Sequence, residues 1–180
     1  ARAAMTKNWT VENGVLTGAA DGGTIGSAKN YENFELILDW KTEGEAAMGI
    51  RSIPQIALGG KNSGALTGNM LHDNAAPKAA ANGPQEWNTM QMKVVSDRVT
   101  VVLNGVTTAE NVILENACNR EIPAYAEGQI LLIAGNAPLN VREMYIRELP
   151  ATPRFELSEE EAADGFEVLF DGTSMHKWTG

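Results

Sequence analysis

Glu35, Asp39 and Lys41 are the residues of this chain whose types and spacing best suit chemistry on a polar ligand. In residues 33–41, Phe34, Leu36, Leu38 and Trp40 fall on one face, and Glu35, Ile37, Asp39 and Lys41 on the other. Alternation with a period of two marks a half-buried strand, so two carboxylates and an ammonium share one row. Arg51 lies on a second, shorter strand candidate, residues 46–52, from which it is expected to pair with Asp39 across the sheet. Carboxylates and a guanidinium suit sugar hydroxyls, because they accept and donate charge-assisted hydrogen bonds in fixed directions. The same row also reads as an ordinary solvated sheet face, and both readings stand on these residues alone. Trp9, Trp40 and Trp87 could stack on sugar rings; Trp40 belongs to the apolar stripe and is assigned to the core.

Other chemistry is sparsely represented. The histidines are His72 and His176, and no Cys-x-x-Cys, His-Glu-x-x-His, Gly-x-Ser-x-Gly or P-loop pattern occurs. His72-Asp73-Asn74 offers metal-ligand types, but a site needs three or more converging donors and adjacent side chains diverge. It reads as a polar loop tip, and no metal is assigned. Gly22-Gly23-Thr24-Ile25-Gly26 is glycine-rich, yet no helix follows to present its N-terminus to a phosphate; it reads as a turn before a strand. Cys118 is the single cysteine, so no intramolecular disulfide can form. The net charge of −9, with no run of Lys and Arg to offset it, argues against nucleic acid and anionic membranes as partners. The longest apolar runs, such as residues 129–135, have strand length, which excludes a membrane span of that kind.

The elements that must position these residues are nearly all strands. Residues 9–11 and 15–17 flank Glu12-Asn13-Gly14 and read as a hairpin, Asn-Gly supplying the positive φ angles of a tight turn. Residues 87–95, 98–103 and 106–109 form a meander, turning at Ser96-Asp97 and at Asn104-Gly105. Residues 129–134 and 141–149 are two further strands, and 54–58 is a shorter candidate. Residues 59–84 and 110–127 lack periodicity and read as long connections. Ser158 and Glu161 form a capping box for a short helix, 159–164, that Gly165 can end. Many strands with Gly-containing turns and almost no helix predict an all-β, two-sheet antiparallel β-sandwich of jelly-roll type.

The order of these elements resembles a known family. Trp9-Thr10-Val11-Glu12-Asn13-Gly14-Val15-Leu16 is similar to its opening W-x-V-E-D/N-G-V-L, and residues 31–41 to its Y-x-D/N-F-E-L-x-L-E/D-F/W-K/R strand. Pro84-Gln85-Glu86-Trp87-Asn88 followed by residues 99–105 resembles P-x-G-E-W-N and I-x-V-x-L-N-G. Residues 141–149, which include Arg142, resemble the closing V-x-F-R-x-I-x-I-R/K-E-L. The family is that of the 3-keto-disaccharide hydrolase domains. The resemblance implies a concanavalin A-like sandwich, hydrolysis or elimination on oxidised glycosides, a carbohydrate partner, a divalent metal in some members, and a periplasmic or extracellular location in bacteria. The substrate-binding residues it points to are Glu35, Asp39, Lys41, Arg51, Gln55 and Arg142.

The chain departs from the family pattern at chemical positions. The family's Y-E-V-Q-I strand is reduced to Pro54-Gln55-Ile56-Ala57-Leu58, with Gln55 in place of the acid, and its G-x-I-x-L-Q-x-H-G strand becomes residues 128–135 without the Gln or the His. A lost carboxylate removes a base, nucleophile or metal ligand outright. Three readings follow: the first domain of an exported glycoside hydrolase, a non-catalytic carbohydrate-binding domain beside a catalytic one, or a scaffold domain. Residues 1–152 form the expected sandwich and 153–164 a linker. Residues 165–180 resemble the family's own first strand, as if a second copy began and was cut. With the chain opening at Ala1, a processed or trimmed piece is expected. The segment 166–178 is expected to dock as a strand on the open sheet edge, in cis, or in trans as a homodimer.

Overall fold

The structure is a computed structural model that describes residues 8–67, 80–119, 121–172 and 177–178. The strands are β1 (Trp9–Glu12), β2 (Val15–Gly18), β3 (Gly23–Gly26), β4 (Phe34–Lys41), β5 (Ala46–Gly49) and β6 (Gln55–Leu58). They continue with β7 (Leu66–Thr67), β8 (Asn88–Val95), β9 (Arg98–Leu103), β10 (Val106–Ile113), β11 (Leu131–Ala134) and β12 (Leu139–Glu148). Among the described residues they form a seven-stranded sheet in the order β1-β2-β12-β4-β8-β9-β10 and a five-stranded sheet in the order β3-β11-β5-β6-β7. Every pairing is antiparallel, and the predicted two-sheet sandwich is the fold.

The alternation in β4 decides which face turns inward. Phe34, Leu36, Leu38 and Trp40 are buried, as are Met90, Met92 and Val94 on β8 and Val99, Val101 and Leu103 on β9. Register aligns them, with Phe34 opposite Val94, Leu36 opposite Met92 and Leu38 opposite Met90, so the stripes of three strands make one continuous apolar sheet face. Against it pack Met48, Ile56, Leu58, Leu66 and Leu132 of the five-stranded sheet, all buried in the same cluster. A one-residue slip in β4 would exchange this stripe for Glu35, Asp39 and Lys41, which is why the register is firm.

Some elements differ from the sequence reading. β10 runs on to Ile113 through two register shifts, with Asn111 at positive φ; bulges break the alternation that a periodic reading relies on. β7 lies inside the stretch read as a long loop. The segment 46–52 is strand only to Gly49, and the chain then turns through Arg51 and Ser52 at positive φ. The helix α1 (Glu159–Ala163) has the expected capping box, with Ser158 Oγ accepting from Glu161 N and Glu161 accepting from Ser158 N. Of the segment expected to dock as a strand, residues 166–172 contain no strand, and residues 173–176 lie outside the described residues. Phe155 N donates to Asp171 O at 2.7 Å and Trp178 Nε1 to Leu169 O at 3.1 Å, so two carbonyls of this segment are met by the linker and by the segment's own Trp178.

One end of the sandwich is tied by Arg51, which is 2% exposed. Its Nε and Nη2 donate to Glu32 O, Nη1 to Ser96 O and Tyr125 O, and Nη2 also to Asn33 Oδ1. Burial pushes the guanidinium down to about 10, against the opposing pull of Glu32 and Asp97, so it stays protonated at neutral pH. Replacing it with Met strips the donor from three carbonyls at once. Arg51→Met is expected to cost about 3 kcal/mol or more, since each carbonyl left without its donor costs about 1–3 kcal/mol. Urea denaturation should show this as a lower midpoint with an unchanged slope; a midpoint equal to the parent's would show that the tie carries no stability.

Candidate functional site

The sequence-selected residues divide between two sheets and one end of the molecule. Glu35 and Asp39 lie on the outer face of the seven-stranded sheet, each between cross-strand partners. Glu35 stands between Arg147 and Lys93 in register; it pairs with both, the Lys93 contact being 3.7 Å. The hydrogen bond from Arg147 holds its carboxyl below the usual carboxylate range. Asp39 stands between Arg142 and Thr89, accepting from Thr89 Oγ1 at 2.6 Å and Arg142 Nε at 3.3 Å. Lys41 Nζ and Arg142 Cζ lie 5.0 and 4.0 Å from the Trp87 ring centroid. Asp39, Lys41 and Arg142 are therefore brought together, while both carboxylates are already paired along the sheet.

Arg51 is a correction. It does not pair with Asp39 across a sheet, because the strand that would have carried it ends at Gly49 and the turn sends the side chain into the end of the sandwich. Gln55 goes elsewhere again, on β6 of the five-stranded sheet.

Over the outer face of that second sheet lies a groove of about 830 Å³. Its floor is the outward row of the strands: Ala47 on β5, Gln55 and Ala57 on β6, Thr67 on β7 and Ile133 on β11. The side chains are short, so the depth of the groove comes from what they omit. One end is walled by Glu43 and Glu45 on the β4–β5 connection and by Lys61 and Asn62 after β6. Backbone packing fixes that wall. A Cβ at Gly135 would come within 1.9 Å of Glu45 O, and one at Gly59, already at φ +81°, within 2.1 Å of Gly44 O. Asn136 Oδ1 accepts from Glu45 N at 2.9 Å. A smaller pocket of about 220 Å³ shares Glu43, Gly59, Gly60 and Lys61 with the groove and continues to Trp40 and Asn88.

The groove therefore presents carboxylates, an ammonium and amides at one wall above a small, largely apolar floor, a donor set suited to sugar hydroxyls. Of the residues selected from sequence, Gln55 lines it. Glu43, Glu45, Lys61 and Asn62 were missed; the available signal was the pair of carboxylates flanking Gly44 and the polar turn Gly59-Gly60-Lys61-Asn62 directly after a strand. Among the described residues no three His, Cys, Asp or Glu side chains converge as a metal site. His72, Asp73, Asn74 and His176 lie outside the described residues.

An antiparallel two-sheet sandwich with a polar-walled groove over its smaller sheet is the form of a carbohydrate-related domain. The chain belongs to the 3-keto-α-glucoside-1,2-lyase-like domain family, whose profile matches residues 2–147. Two solved structures from Parabacteroides distasonis ATCC 8503, both described as candidate glycosyl hydrolases, share the fold. One is 24% identical with a TM-score of 0.62, covering 79% of this chain and 91% of that one. The other is 18% identical with a TM-score of 0.61, covering 79% and 84%. No curated protein sequence matches the chain.

The pairing of Glu35 has a pH signature. A carboxylate depressed in the folded state contributes stability above its unfolded pKa and loses it as pH falls through the folded value. In Arg147→Ala the Glu35 carboxyl should titrate higher, toward the ordinary carboxylate range, when followed by carboxyl-carbon NMR. An unmoved titration would show that Arg147 does not hold it.

Proposed function

We propose that this chain is a carbohydrate-binding domain that seats a short saccharide in the groove over the five-stranded sheet and does not itself cleave it. One observation carries the reading. The family's strand patterns place an acid, a Gln and a His at positions that fall here on Gln55, Ile133 and Gly135, and all three line the groove. The groove thus lies where the family's chemistry is expected, but its floor has lost the ionisable groups.

Elimination from a 3-keto-glycoside needs a base for the proton beside the ketone and an acid for the leaving oxygen. A floor of Gln55, Ala57, Ile133 and Gly135 supplies neither. Glu43 and Glu45 at the end wall can still accept from sugar hydroxyls, Lys61 and Asn62 can donate, and Gln55 can do both. Those contacts are sufficient for recognition and fit a domain serving a catalytic partner. Export to the periplasm or the medium belongs to the same proposal.

The test is calorimetric titration with neutral gluco-disaccharides and their 3-keto derivatives, beside a turnover assay on the same samples. Binding without turnover is expected, weakened about tenfold in Glu45→Ala and Gln55→Ala, equivalent to about 1.4 kcal/mol for each lost contact. Robust turnover that disappears in Glu43→Gln or Glu45→Gln would establish a lyase or hydrolase instead. Absence of binding to any neutral saccharide would overturn the groove reading.

A further inference from the structure

The outer face of the seven-stranded sheet carries a second feature that the groove does not use. Arg142 and Lys41 converge on the Trp87 ring at 4.0 and 5.0 Å. Among the described residues Arg142 donates only through Nε, to Asp39 at 3.3 Å. Its two terminal nitrogens make no hydrogen bond there, and Lys41 Nζ has no acceptor. Next to Lys41 in register is Asn140 on β12, whose Oδ1 accepts from Thr17 Oγ1 at 3.0 Å, leaving its amide nitrogen to donate.

The chain as a whole carries a net charge of −9. Glu35 stands between Arg147 and Lys93 in its row, so the cations there are met by a carboxylate. Around Trp87 the count is the same, with Asp39 the anion and Arg142 and Lys41 the cations, but among the described residues Lys41 is met by the Trp87 ring and by no carboxylate. Cation–π contact with a half-buried indole holds both in place, and Asp39 fixes the orientation of Arg142. The guanidinium's free edge offers the parallel donors that a carboxylate accepts in bidentate fashion.

We propose that Lys41, Arg142 and Asn140 form a second saccharide subsite, selective for the carboxylate of a uronic acid residue. The inference rests on the carbohydrate reading but not on the groove, since the two lie on opposite sheets. Arg142 Nη1 and Nη2 take the carboxylate, Lys41 adds a second positive charge, and Asn140 donates to a neighbouring sugar oxygen.

Titration of the whole chain with a glucuronate-containing disaccharide and with its neutral counterpart, followed by Trp fluorescence and calorimetry, decides the matter. The acidic sugar should bind about tenfold tighter than the neutral one, a preference that added salt reduces. Lys41→Met and Arg142→Met should each abolish the preference. Lys41→Met leaves the Asp39–Arg142 pair in place and so serves if Arg142→Met fails to fold. Equal affinity for both sugars, or a preference that survives Lys41→Met, would overturn the subsite while leaving the groove untouched. Acidic-sugar binding lost in Lys41→Met without any neutral binding would keep the subsite and remove the groove. Full competition by inorganic sulfate at the sugar's own concentration would mark a simple anion site and overturn the saccharide assignment.

Discussion

A single buried guanidinium sets the geometry on which the rest of this sandwich depends. Arg51 reaches carbonyls from three connections: Glu32 before β4, Ser96 in the β8–β9 turn, and Tyr125 ahead of β11. Two of these belong to the seven-stranded sheet and the third leads into the five-stranded one. The backbone of Gly128 lies so close that a Cβ there would come within 2.6 Å of Arg51 C and O. Asn33 extends the tie, accepting from Ser96 N at 2.8 Å and donating to Pro150 O at 2.8 Å. A cation among carbonyl dipoles is satisfied without a hydrogen-bonded carboxylate, at the cost of desolvation. It gives the two sheets a common anchor that apolar packing, being non-directional, does not supply.

With that end closed, the two outer faces diverge in chemistry. The seven-stranded sheet carries its charges as cross-strand pairs, with Glu35 and Asp39 each engaged from a neighbouring strand. Near Trp87 the pairing leaves donors over. The five-stranded sheet carries Ala47, Ala57 and Ile133 where bulkier or ionisable side chains would close or arm the groove. Its polar groups are displaced to a wall whose position depends on Gly135 and Gly59 packing against neighbouring backbone.

The strand alternation in Phe34–Lys41 and the Asn-Gly turns at residues 13–14 and 104–105 were legible because local residue types dictate them. The inward stripe followed directly, since burial and period two are coupled. Arg51 was misplaced because nothing local marks residues 51–52 as a turn at positive φ; its partners lie 18 to 74 residues away in sequence. The groove wall was missed for the same reason: Glu43, Glu45 and Lys61 look like ordinary loop charges until β5 and β6 pair and bring the two connections together. The tail was read as a strand from its alternating Phe166, Val168 and Phe170, but alternation does not name a partner. Within the described residues Asp171 O accepts from Phe155 N of the linker.

The most direct test of this account is amide chemical-shift mapping with a saturating neutral disaccharide. The expected result is a contiguous set of perturbations at Ala47, Gln55, Ala57 and Ile133, with Glu35, Ile37 and Gln91 on the opposite sheet unmoved. Perturbations confined to Glu35, Ile37 and Gln91, with the groove residues silent, would contradict it.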